Sequence, residues 1–99
     1  MKREQRREII TPMSEIRRMA RRYSQKYGVP IRISASMIDD EFGGDAEALY
    51  HYHYNKKGKV VGTIYLHPSL QYESRAHVDS TIRHEISHFN VERKWEDRL

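Results

Sequence analysis

Apolar residues recur at intervals of three and four from Met13 through Ile16, Ala20 and Tyr23 to Tyr27, and the arginines between them fall on the opposite side. That period predicts an amphipathic helix with one stripe against a core. Thr11-Pro12 marks its start, because Thr caps and Pro suits the first turn, and Gly28 and Pro30 mark its end. The period then changes to two. Ile31, Ile33, Ala35 and Met37 alternate with Arg32, Ser34 and Ser36, which predicts a half-buried strand over 31–37. Asp39-Asp40-Glu41-Phe42-Gly43-Gly44-Asp45 reads as an acidic loop whose spacing does not match a calcium-binding EF-hand.

Two β-rich runs follow, Ala48 to Tyr54 and Lys59 to Leu66, joined by Asn55-Lys56-Lys57-Gly58, and they predict a hairpin. Tyr50, Tyr52 and Tyr54 share one face of the first run, while Leu49, His51 and His53 share the other. His51 and His53 are a candidate metal-binding pair, weighed against ordinary half-exposed strand positions. His67-Pro68 ends the second run. A last helix runs from about Glu73 or Ser74 to near Trp95, with Val78, Ile82, Ile86 and Phe89 as its buried stripe. The order is helix, strand, hairpin, helix. It predicts an α+β fold with an N-terminal helix, a small three-stranded antiparallel or mixed sheet, and a C-terminal helix.

Composition narrows the class. Ninety-nine residues, 37% of them apolar, are expected to form a single domain over 1–99 with a small core, residues 1–10 being a charged arm. Cysteine is absent, which excludes disulfides, Cys-ligated zinc and thiol nucleophiles. No apolar run approaches the roughly 18 residues of a membrane span, and the N-terminus lacks the apolar stretch of a signal peptide. The expectation is a cytoplasmic protein without a membrane partner. The net charge is +4, and Lys2, Arg3, Arg6, Arg7, Arg17, Arg18, Arg21, Arg22 and Lys26 concentrate it early. A basic face of this kind either attracts nucleic acid or simply solvates a helix.

One segment spells out a chemistry. His84-Glu85-Ile86-Ser87-His88 reads H-E-x-x-H, and residues four apart share a helical face, so two imidazoles can grip one Zn²⁺ with Glu85 beside it. His84 and His88 are the expected metal ligands. Glu85 is the expected general base, acting on a zinc-activated water that attacks a peptide carbonyl. Tyr50, Tyr52, Tyr54, Tyr65, Tyr72 and His67 are the candidate donors to the oxyanion, unranked by sequence.

A third ligand is harder to place. Glu92 lies eight residues after His84, about 12 Å along a helix, too far to share its ion. Glu96 reaches back only if the helix breaks near Lys94, and Asp97 is in a poorer position. His51, His53, His67, a residue from a second copy of the chain, or no third protein ligand are the other choices. Lys94 stands where a metzincin has its third histidine, which excludes that pattern.

Ile64-Tyr65-Leu66-His67-Pro68-Ser69-Leu70, followed by Thr81-Ile82-Arg83-His84-Glu85-Ile86-Ser87-His88, resembles the SprT-like zinc metallopeptidases. Their pattern is a strand ending in a Leu-Asn-Pro-x-Leu-like turn, then a helix with Thr-Leu-x-His-Glu-x-x-His; here His67 stands in place of the Asn. The likeness covers roughly the last forty residues. The chain stops before the later His-Gly-x-x-aromatic segment that carries that family's third ligand. In length it is similar to the minigluzincins, archaeal zincins that use a Glu as third ligand. The resemblance implies a minimal zincin-like domain and a zinc metalloendopeptidase, with His84, Glu85 and His88 in the roles above. In the Spartan branch it implies action on proteins bound to DNA. The expected partner is a peptide or protein substrate, and latent or homo-oligomeric forms are compatible with the chain. The alternative is a catalytically inactive zincin-like module that binds nucleic acid or a protein through its basic N-terminal helix.

Overall fold

The computed structural model describes the backbone of residues 8–42 and 46–98, and the side chains of 8–39 and 46–92. Its elements are α1 (Met13–Tyr27), β1 (Ile31–Ile33), α2 (Ala35–Phe42), β2 (Ala48–Tyr54), β3 (Val60–Leu66), a 3₁₀ helix (Pro68–Tyr72) and α3 (Arg75–Arg98). The strands form one mixed sheet in the order β1-β3-β2, with β1 parallel and β2 antiparallel to β3. The α+β class, the terminal helices and the hairpin are as the pattern predicts. Among the described residues no helix is long and apolar enough to cross a membrane.

α1 follows its stripe: Ile16 and Ala20 are buried, and Met13, Tyr23 and Tyr27 pack at the rim of the core. Gly28 closes the helix in the left-handed conformation (φ 69°), donating its N–H to the Ser24 carbonyl. The start differs from the expectation. Pro12 occupies the cap position without a side-chain cap, and the Thr11 hydroxyl instead donates to the Glu73 carbonyl at 2.6 Å. Thr11 is fully buried there, and the Ile10 and Thr11 amides both donate to the Gln71 carbonyl. The expected arm therefore lies along the 3₁₀ helix by residue 10; residues 1–7 are outside the described chain.

The strand expected over 31–37 stops at Ile33, and Ala35–Phe42 is helical. Ser34 is the reason. Its Oγ accepts the Met37 N–H at 3.3 Å, a serine N-cap that opens α2. Burial changes phase with it: Ile38 is fully buried and Met37 is exposed, the reverse of the strand reading. Asp39 through Phe42 consequently belong to a helix and not to an acidic loop; positions 43–45 of the expected loop lie outside the described residues.

The hairpin turns as its residues require. Asn55 Oδ1 accepts the Lys57 and Lys59 amides, Gly58 N–H donates to the Asn55 carbonyl, and Gly58 takes φ 76°. The pairing register fixes the free edge of β2. His67 N–H bonds the Glu47 carbonyl and Asn55 N–H bonds the Lys59 carbonyl, so odd positions of β2 face β3. Ala48, Tyr50, Tyr52 and Tyr54 therefore turn their backbone groups away from β3, along the edge of the sheet.

The core lies between one sheet face and the two long helices. Ile64 and Leu66 from β3 meet Ile16 and Ala20 from α1 and Val78, Ile82, Ile86 and Phe89 from α3, with Val29 and Leu70 beside them. Each fully buried aliphatic side chain contributes about 1.5–3 kcal/mol. Tyr23 donates to Asp79 and Arg75 pairs with Glu15, fastening α1 to α3. The four expected core positions of α3 are all buried, which fixes the rotation of that helix and hence what its other faces present.

Candidate metal centre

With Ile82 and Ile86 turned into the core, α3 must carry His84 and His88 on a neighbouring face. Both are exposed, and Glu85 between them is half-buried against the hairpin. The two imidazoles meet edge to face, with ring centroids 4.8 Å apart and Nε2 atoms 3.3 Å apart. Two Zn–N bonds of about 2.0–2.1 Å at a tetrahedral angle place their nitrogens about 3.3–3.4 Å apart. The pair therefore stands at the separation a tetrahedral ion needs. The ligating atoms of His84, Glu85 and His88 all lie within 4.8 Å of one another. The Ser87 hydroxyl donates to the His84 carbonyl.

β2 supplies the opposite wall. Ala48, Tyr50 and Tyr52 face Glu85, His88 and Glu92 across a groove of about 370 Å³. A second recess of about 330 Å³ continues past Glu47 and Ala48 to Thr81, His84 and Glu85. Burial raises the Glu85 carboxyl above the ordinary carboxylate value of 4.5, and His88, His84 and the backbone N–H of Tyr50 offset part of that rise. The Tyr50 amide is one of those turned outward from the sheet. Its phenol is pushed up to about 12 by burial, with smaller contributions from Glu92, Tyr52 and Tyr54. It stays protonated at any neutral pH, and its oxygen is buried without a hydrogen-bond partner.

The remaining expected site residues separate cleanly. Tyr50 and Tyr52 line the groove, whereas Tyr65 lines a different recess between α1 and β1. His51 and His53 alternate with Tyr50, whose ring meets Phe89 of α3 at 6.0 Å, so both point from the opposite face of the sheet. His67 is buried; its Nδ1 accepts the Ser69 N–H and its Nε2 faces Asp39 of α2 at 3.2 Å. None of these three histidines joins His84 and His88. Among the described residues only Glu85 comes within ligating distance of the pair. The side chains of Glu96 and Asp97 lie outside the described residues, but α3 runs on as a helix to Arg98, without the break that Glu96 needs to turn back. Glu92, set aside by its distance from His84, lies in the same groove as His88.

One cluster was not visible in the sequence. Glu47, Glu73 and His77 bring their ligating atoms within 4.8 Å of one another at the N-terminal end of α3. The seven-residue step from His77 to His84 places both on one side of the helix, but nothing local announces the two glutamates. No family model, curated protein or solved structure matches the chain.

Proposed function

We propose that the protein is a zinc-dependent peptidase of the SprT-like or minigluzincin type, with Zn²⁺ held by His84 and His88 and peptide or protein as substrate. The observation that carries this reading is the 3.3 Å separation of the two Nε2 atoms beside a half-buried Glu85 carboxyl. Bound there, zinc supplies Lewis acidity and lowers the pKa of water towards about 7. Glu85 takes the proton of the attacking water on its carboxylate and returns it to the leaving amine. Its raised pKa suits both halves of that exchange. The outward backbone groups of Ala48 and Tyr52, with the Tyr50 carbonyl between them, offer an extended peptide a strand to pair with over the imidazoles, while the Tyr50 N–H is held by Glu85.

Purified protein should contain zinc, melt higher when Zn²⁺ is added, and lose cleavage but not zinc in Glu85→Ala. Absence of zinc together with an unchanged melting temperature would overturn the reading. Cleavage that survives Glu85→Ala would remove Glu85 as the base.

A second reading, an inactive zincin-like module that binds nucleic acid, has its own support. Arg17 and Arg21 of α1 and Arg32 of β1 line one groove of about 660 Å³ with Tyr65, and all three guanidinium groups are exposed. Binding there should weaken steeply as salt is added, and Arg17→Ala/Arg21→Ala should reduce the slope. Salt-independent or absent binding removes that reading.

A further inference from the structure

At the far end of the recess that borders His84, three segments distant in sequence bring ligating groups together. Glu47 precedes β2, Glu73 closes the 3₁₀ helix, and His77 stands in the first turn of α3. His77 Nε2 meets Glu47 Oε1 at 2.7 Å, across thirty residues of chain. The backbone under each donor is tied down. The Glu47 carbonyl accepts the His67 N–H, and Glu73 N–H donates to the Leu70 carbonyl while its own carbonyl accepts Thr11 Oγ1. His77 N–H bonds Ser74 Oγ, and its carbonyl accepts the Thr81 hydroxyl.

We propose that Glu47, Glu73 and His77 form a second divalent-metal site, distinct from the His84–His88 pair, for a first-row transition ion of the Zn²⁺ or Co²⁺ kind. An imidazole with two carboxylates favours such ions over magnesium or calcium, which take oxygen ligands. Two carboxylates and a neutral imidazole also balance a dipositive charge. An ion bound there replaces the His77 Nε2–Glu47 Oε1 hydrogen bond with coordinate bonds from both residues. The ion joins the start of β2, the end of the 3₁₀ helix and the start of α3. It thereby fixes the wall formed by Glu47 and Ala48 beside His84.

The test removes the first site and looks for the second. The full chain carrying His84→Ala/His88→Ala is titrated with Zn²⁺ alone, by calorimetry and by thermal melting. One equivalent should bind and the melting temperature should rise. Adding His77→Ala to that background should weaken binding at least tenfold and abolish the rise. Glu47→Gln, which keeps the shape of the side chain, should do the same and guards against a folding defect in the histidine variant. If the background binds no Zn²⁺, or binds it equally after His77→Ala and Glu47→Gln, the second site does not exist. Neither outcome depends on whether the chain is a peptidase.

Discussion

The ring of Tyr50 lies on the bare Cα of Gly62: a Cβ at position 62 would stand 2.5 Å from its Oη and 2.6 Å from its Cε1. Gly62 is thus the seat of an aromatic side chain that also meets Phe89 edge to face and forms part of the wall opposite Glu85. Gly62→Ala should cost about 1–3 kcal/mol by forcing the ring aside. In a Tyr50→Ala background most of that cost should vanish. A double-mutant cycle by denaturant unfolding measures the coupling; additive effects would show that the ring is not held there.

The phase of α2 is open to a paired substitution. Ile38→Ala should cost about 2–5 kcal/mol, as expected for a fully buried aliphatic residue. Met37→Ala should change stability by no more than about 0.5 kcal/mol. A strand over 31–37 reverses that order, so urea midpoints of the two variants decide between helix and strand.

Glu85 should be expensive to keep charged. Burial raises its folded pKa above 4.5, so the folded state binds the proton more tightly than the unfolded one. The stability associated with this group is fully present below the unfolded value and is lost as pH rises through the higher folded one. Glu85→Gln should therefore be more stable than the parent at pH 7 in metal-free buffer. The advantage should shrink towards pH 4. Melting curves across that range provide the check, and an advantage that grows on acidification contradicts the sign.

His77 should follow the same direction with pH, but here the charged form is the one the fold stabilises. The hydrogen bond its Nε2–H donates to Glu47 raises its pKa above 6.5, a rise that burial partly opposes and the charges of Glu47 and Glu73 support. Its contribution to stability is complete below 6.5 and is lost as pH rises through the raised value. In metal-free buffer, His77→Gln should destabilise at pH 6 and approach the parent at alkaline pH. Equal destabilisation at both ends of the range indicates lost packing instead.

What the sequence discloses follows from how local each signal is. The stripe of α3 is strong enough to fix the rotation of the helix, and with it the face carrying His84 and His88. Asn55 and Gly58 announce the hairpin turn because their own backbone and side chain build it. The strand 31–37 misleads because Ile31, Ile33, Ala35 and Met37 keep a period of two straight through a serine cap. Ile38 is the residue that betrays the helix, because it is fully buried where α2 packs against the sheet. Thr11 looks like a cap to anything that reads neighbours alone, yet its partner is the Glu73 carbonyl, sixty-two positions away. The cluster of Glu47, Glu73 and His77 is hidden for the same reason. It exists only once β2, the 3₁₀ helix and α3 have come together.

The helix that displays the motif is also the one that fills the core, and this makes the two unassigned letters of H-E-x-x-H unequal. Ile86 is 3% exposed and belongs to the packing stripe, while Ser87 faces solvent. Drift at the first of them is confined to residues of similar shape. The second is open to almost any side chain that leaves a helix intact.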